Sequence, residues 1–96
     1  MEMILDLNLY NKYIEEVITI INDFTSKYGK VLTIYDIKLP LTGSRIGLSG
    51  NDIFELYIIF CNYFSLKIKL EDYYDFYTIE RIAITIIRQK DRRYEV

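Results

Sequence analysis

The sequence predicts an all-α protein: a small antiparallel four-helix bundle with a long first loop and a short third helix. Three observations carry that expectation. Apolar residues recur three or four apart in stretches near the two ends of the chain, the signature of helices with one buried stripe. The only proline, Pro40, falls with Gly43, Gly47 and Gly50 in a segment that cannot sustain helical hydrogen bonding. And 96 residues, 51% hydrophobic and 27% charged, suit one domain with one core, rather than two domains or a disordered chain. Abundant Ile and Tyr raise strand propensity throughout, so the spacing decides and the propensity does not.

The first helix is expected over 8–27. Tyr10, Tyr13, Ile14, Val17, Ile20, Ile21, Phe24 and Tyr28 form its apolar stripe, Asn11, Lys12, Glu15, Glu16, Asn22 and Asp23 its polar face, and Gly29 its left-handed stop. A long loop over 30–50 follows. Its apolar residues, Val31, Leu32, Ile34, Ile37, Leu39, Leu41, Ile46 and Leu48, predict that it packs across the helices, with a strand within 31–37 as the competing reading. Ser49-Gly50-Asn51-Asp52 reads as a helix entry, the serine oxygen accepting from the N–H three residues on while the Asp52 carboxylate reaches back. The second helix then runs to Phe64 and is apolar on nearly every side.

Leu66-Lys67-Ile68-Lys69-Leu70 alternates like a strand, but the chain offers no second run to pair with it, so it reads as an extended connector. One or two helical turns fit 71–76. Thr78 then caps a last helix whose Ile79, Ile82, Ala83, Ile86 and Ile87 share one face, and Arg88, Lys90, Arg92 and Arg93 crowd its negative pole.

Charge and composition exclude several functions. A net charge of −2 and a pI near 5.1 provide no positive field to gather nucleic acid. Histidine is absent and Cys61 is the single cysteine, so neither a zinc site nor a Cys/His or Ser/His/Asp set can be assembled; an enzyme is not expected. Cys61 lies in the apolar run 56–64, the setting of a buried thiol in a reducing, cytoplasmic protein. The longest uninterrupted apolar stretch, 56–61, is far shorter than the roughly 20 residues a membrane span needs, and the first residues carry no basic leader. No membrane partner is expected.

The layout, together with Ile46-Gly47-Leu48-Ser49-Gly50-Asn51-Asp52-Ile53-Phe54-Glu55-Leu56, resembles the acyl carrier protein family and its L-G-x-D-S-L-D-x-V-E-L signature. Phe64, Ile68, Glu71, Thr78 and Ile79 continue in register, so the likeness covers 46–87. The resemblance implies a non-catalytic carrier with a 4'-phosphopantetheine arm esterified to a serine at the start of the second helix. Free N–H groups and the positive helix end favour a phosphodiester there. It further implies that partner enzymes dock on the second helix, through Asp52, Glu55, Tyr57, Phe60 and Tyr63. Here, however, Gly50 stands at the serine position, Ser49 at the preceding aspartate and Asn51 at the following leucine. Sliding by one residue makes Ser49 the acceptor but puts Leu48 where the aspartate that helps hold the transferase's metal belongs.

Each feature also has a plain reading. Ser49 serves equally as a helix cap, Ser44 is a second serine beside a glycine, and Glu55 complements the helix dipole. Tyr10, Tyr13 and Tyr28 are accounted for by packing, Tyr73 and Tyr74 by cover over the bundle's end. Three functions stand as expectations. The first is an acyl carrier-related docking module for biosynthetic or peptide-modifying enzymes, of the kind found in bacterial peptide maturation, its attachment serine replaced by glycine. The second is an active carrier loaded on Ser49. The third is a structural homo-oligomer that buries its apolar second helix, the alternatives for assembly being a monomer or a weak homodimer.

Overall fold

Helical periodicity becomes four helices. The computed structural model describes residues 7–90: α1 (Leu7–Thr25), α2 (Gly50–Phe64), α3 (Leu70–Tyr74) and α4 (Ile79–Lys90), with 3-10 turns at Ser26–Tyr28 and Ile34–Asp36. No strand forms among the described residues. The last turn of the expected first helix tightens into the Ser26–Tyr28 turn, and Gly29 closes it with φ +70°. Arg92 and Arg93, expected to crowd the end of the last helix, lie outside the described residues.

The stripes meet in one core. Ile14, Val17 and Ile21 of α1, Leu56 and Phe60 of α2, and Ile79, Ile82, Ala83 and Ile86 of α4 are almost wholly shielded from solvent. α1 and α2 run antiparallel, since Tyr28 reaches Asp52 at one end and the Tyr13 ring meets Phe64 edge-on, 5.8 Å between centroids, at the other. An aromatic column ties α3 to α2: Tyr57 lies 5.3 Å from Tyr73 and 5.0 Å from Phe76, and Phe60 lies 5.5 Å from Phe76. Five residues form too short a helix to persist alone, so buried Phe76 and half-buried Tyr73 hold α3 in place.

Thr78 caps α4 as its sequence position suggests, its hydroxyl accepting from the Arg81 N–H at 3.0 Å. Tyr10 donates to Glu80 at 2.6 Å across the α1–α4 contact, and burial together with this carboxylate pushes the phenol up to about 12.

The long loop packs over the helices through Leu32, Leu41, Ile46 and Leu48, whereas Val31 and Ile34 project outward. The competing strand over 31–37 does not form. Thr33 and Asp36 make a capping box: Tyr35 N–H donates to the Thr33 hydroxyl, and Thr33 N–H to the Asp36 carboxylate at 2.9 Å. The backbone therefore closes on itself and offers no free edge to a neighbouring strand. Further bonds tie the loop to the bundle, from Leu41 N–H to the Tyr77 carbonyl and Glu80 N–H to the Ile37 carbonyl, and the Lys30 ammonium joins the loop's two ends through the Ile46 carbonyl.

Extended stretches are gripped by side chains. The Asn22 amide, predicted on the solvent face of α1, both donates to and accepts from the Leu32 backbone. Along the connector after α2, the Gln89 amide does the same for Lys67 and the Tyr57 hydroxyl for Lys69. No described helix is long and apolar enough to cross a membrane.

Candidate functional site at the start of the second helix

Buried anchors aim this segment outward. Ile46 and Leu48 are sunk in the core, and the Leu48 N–H donates to the Leu41 carbonyl at 2.9 Å. Between them Gly47 sits at φ +75°, where any Cβ would be strained and would meet the Lys30 ammonium at 3.3 Å. The chain then emerges, so that Ser49, Gly50 and Asn51 are exposed at the amino end of α2.

That end is closed by its own residues. Ser49 is extended, with φ −83° and ψ 168°; its hydroxyl accepts from the Asp52 N–H at 3.1 Å, and its N–H donates to the Asp52 carboxylate at 2.9 Å. Tyr28 adds a hydroxyl to the same carboxylate at 3.1 Å. These donors, the Ser49 N–H first among them, hold the Asp52 carboxyl below its ordinary 3.8. The positive end of the helix therefore already has an anion in place.

The predicted docking residues divide between two faces of α2. Glu55 and Tyr63 are exposed as expected, and Asp52 is half-buried in the cap. Tyr57 and Phe60 are corrections: they are 3% and 0% exposed, inside the aromatic column with Phe76. Ile53, Leu56, Tyr57, Phe60, Cys61 and Phe64 form the inward stripe, so a surface line through residues 57, 60 and 63 cuts across it. Ile59, overlooked in the sequence, is exposed one turn before Tyr63 on the outer face, and Phe54, also overlooked, is exposed on the opposite flank of α2 beside Tyr73. The missed signal was the inward stripe itself, which leaves those positions outside. Cys61 is buried as expected, and burial pushes its thiol up. Of the two covering tyrosines, Tyr73 packs between Phe54 and Tyr57 while Tyr74 stands in solvent.

No protein-family model, curated protein or solved structure matches the chain. The implied pantetheine arm is accordingly judged on the geometry of this end alone, and the residues do not fit it. Gly50 has no hydroxyl although a Cβ there would meet open space; the Ser49 oxygen already accepts from the Asp52 N–H in the cap; and Leu48, at the aspartate position of the shifted register, is buried and has no side-chain oxygen to offer a metal. A phosphodiester on Ser49 would also face the Asp52 carboxylate in the same capping box. Among the described residues no group of three or more His, Cys, Asp or Glu could hold a metal ion.

Proposed function

We propose that the chain is a non-catalytic, acyl carrier-related protein that serves as a docking module for biosynthetic or peptide-modifying enzymes, without a pantetheine arm. The observation that carries this reading is the segment 46–49 leading out of a turn into α2, with the helix's amino end in solvent and a hydroxyl-free residue, Gly50, at the attachment position. The docking surface is the outer face of α2, where Glu55, Ile59 and Tyr63 follow one another a turn apart, with Phe54 on the flank towards α3, whose Glu71 is exposed and Asp72 partly exposed. Aromatic anchors with a few carboxylates around them suit an enzyme surface that has an apolar pocket and a basic rim.

Intact mass after co-expression with a promiscuous phosphopantetheinyl transferase tests this reading against the active carrier. The expected wild-type mass is that of the unmodified chain. An adduct that disappears in Ser49→Ala replaces the proposal with a carrier loaded on Ser49.

The exposed Ile59 and Tyr63, one turn apart on α2, also support the homo-oligomer as a second reading, because neighbouring apolar side chains on one helix face are what a self-complementary interface buries. Sedimentation velocity across micromolar concentrations separates the two. A monomer throughout is expected for the docking module, whereas a concentration-dependent dimer abolished by Tyr63→Glu favours self-association.

A further inference from the structure

Charge is distributed unevenly along this weakly acidic chain. Between Asp23 and Asp52 stand four cations, Lys27, Lys30, Lys38 and Arg45, and a single carboxylate, Asp36; the remaining residues carry eight cations against thirteen acids. Asp36 does not offset the loop's charge at the surface. It is 2% exposed, accepts from the Thr33 N–H and is paired with the Arg45 guanidinium at 3.2 Å, which holds its carboxyl below the ordinary range. No exposed anion therefore lies on the loop, while Arg45 itself remains 73% exposed beside the turn and Lys38, two residues on, is exposed as well.

At the centre of this basic loop three apolar side chains project into solvent: Val31 is 78% exposed, Ile34 58% and Tyr35 91%. They project from a firm base. Leu32 and Asp36 are buried on either side, the Asn22 amide grips the Leu32 backbone, and the capping box locks the turn. Several of the turn's amides are also bonded internally, Tyr35 N–H to the Thr33 hydroxyl, Asp36 N–H to the Thr33 carbonyl and Leu39 N–H to the Asp36 carbonyl. Entry into a medium poor in water thus leaves these groups bonded.

We infer that this tip, Val31, Ile34 and Tyr35 with Lys38 and Arg45 beside them, is a peripheral docking point for an anionic lipid surface. Apolar side chains enter the headgroup boundary, the tyrosine lies at interfacial depth, and the cations meet lipid phosphates. A bilayer is favoured over an acidic protein by size. Three projecting side chains on a turn fall far short of the roughly 1,000 Å² of a specific protein interface, whereas a bilayer asks for no matched surface. Such contact needs no membrane span, and the apolar residues are too scattered along the chain to register as one. The inference does not depend on the docking role of α2.

Flotation with phosphatidylcholine vesicles, with and without an equal share of phosphatidylglycerol, tests it on the full chain. The wild type is expected to bind the mixed vesicles about tenfold or more over the neutral ones, and to be released as salt is raised. Val31→Ser/Tyr35→Ser and Lys38→Glu are each expected to weaken binding about tenfold. Circular dichroism melts of these variants verify the fold, which exposed positions leave intact. Equal binding to both vesicle types, no binding to the mixed ones, or binding that the variants do not weaken overturns the inference. So does poly-glutamate that binds the tip while mixed vesicles do not, which assigns the surface to an acidic polypeptide instead.

Discussion

The same four-residue device opens two segments with opposite fates. Thr33-Ile34-Tyr35-Asp36 and Ser49-Gly50-Asn51-Asp52 each close a reciprocal capping box, yet one starts a turn of three residues and the other a helix of fifteen. The residues downstream of the box make the difference. After Asp36 comes Ile37-Lys38-Leu39-Pro40; the proline has no N–H to continue a ladder and pushes Leu39 away from helical angles. After Asp52 the residues Ile53, Leu56, Tyr57, Phe60, Cys61 and Phe64 repay each added turn with burial. A cap starts a helix, and only a buried stripe extends it.

Removing one box should cost more than removing the other. Asp36→Ala is expected to lower stability by about 2 kcal/mol in urea unfolding, because the buried carboxylate that accepts from the Thr33 N–H and holds Arg45 is lost and leaves a gap under the loop. Ser49→Ala, at an exposed cap that water can replace, should cost about 1 kcal/mol. Comparable losses would mean that the loop is not anchored at Asp36 and would remove the contrast.

Acid sharpens it further. Both carboxyls sit below their ordinary 3.8 in the folded chain, so what they contribute is complete above about pH 5 and is lost as pH falls through their folded-state values. Stability measured by urea titration down the pH scale should therefore fall in acid. Asp36→Asn and Asp52→Asn should each start lower at pH 7 and flatten that decline. A slope unchanged by both substitutions assigns the acid sensitivity elsewhere. The smallest effect is expected at Gly50→Ser, where the added Cβ meets open space and the unfolded chain loses freedom, for a gain of a few tenths of a kcal/mol in the same unfolding assay.

The helical elements were legible because their signal is local. The stripe from Tyr10 to Phe24, the Ser49 box and the Thr78 cap are written within a few residues of one another, and each appears where the sequence puts it. The long loop was legible only in part. Nothing near Thr33 announces that Asp36 will find Arg45 nine residues on, and Asn22 looks like any solvent-facing amide until Leu32 is brought beside it. For the candidate site, the exposed amino end of α2 was readable from the cap, but the identity of its outer face was not. Tyr57 and Tyr63 are alike as residues and differ only in which side of the helix meets Phe76.

Gln89 and Tyr57 take hold of Lys67 and Lys69, alternate residues on the same side of an extended run. Together they do what a neighbouring strand would do, saturating one edge of a segment whose alternating pattern is otherwise suited to pairing with other molecules. The bundle thus carries a concealed β edge held shut by one amide and one phenol. The two grips differ in what guards them: the Tyr57 ring is shielded in the aromatic column, whereas deamidation of Gln89 removes the amide N–H that holds the Lys67 carbonyl and opens that part of the edge without touching the core.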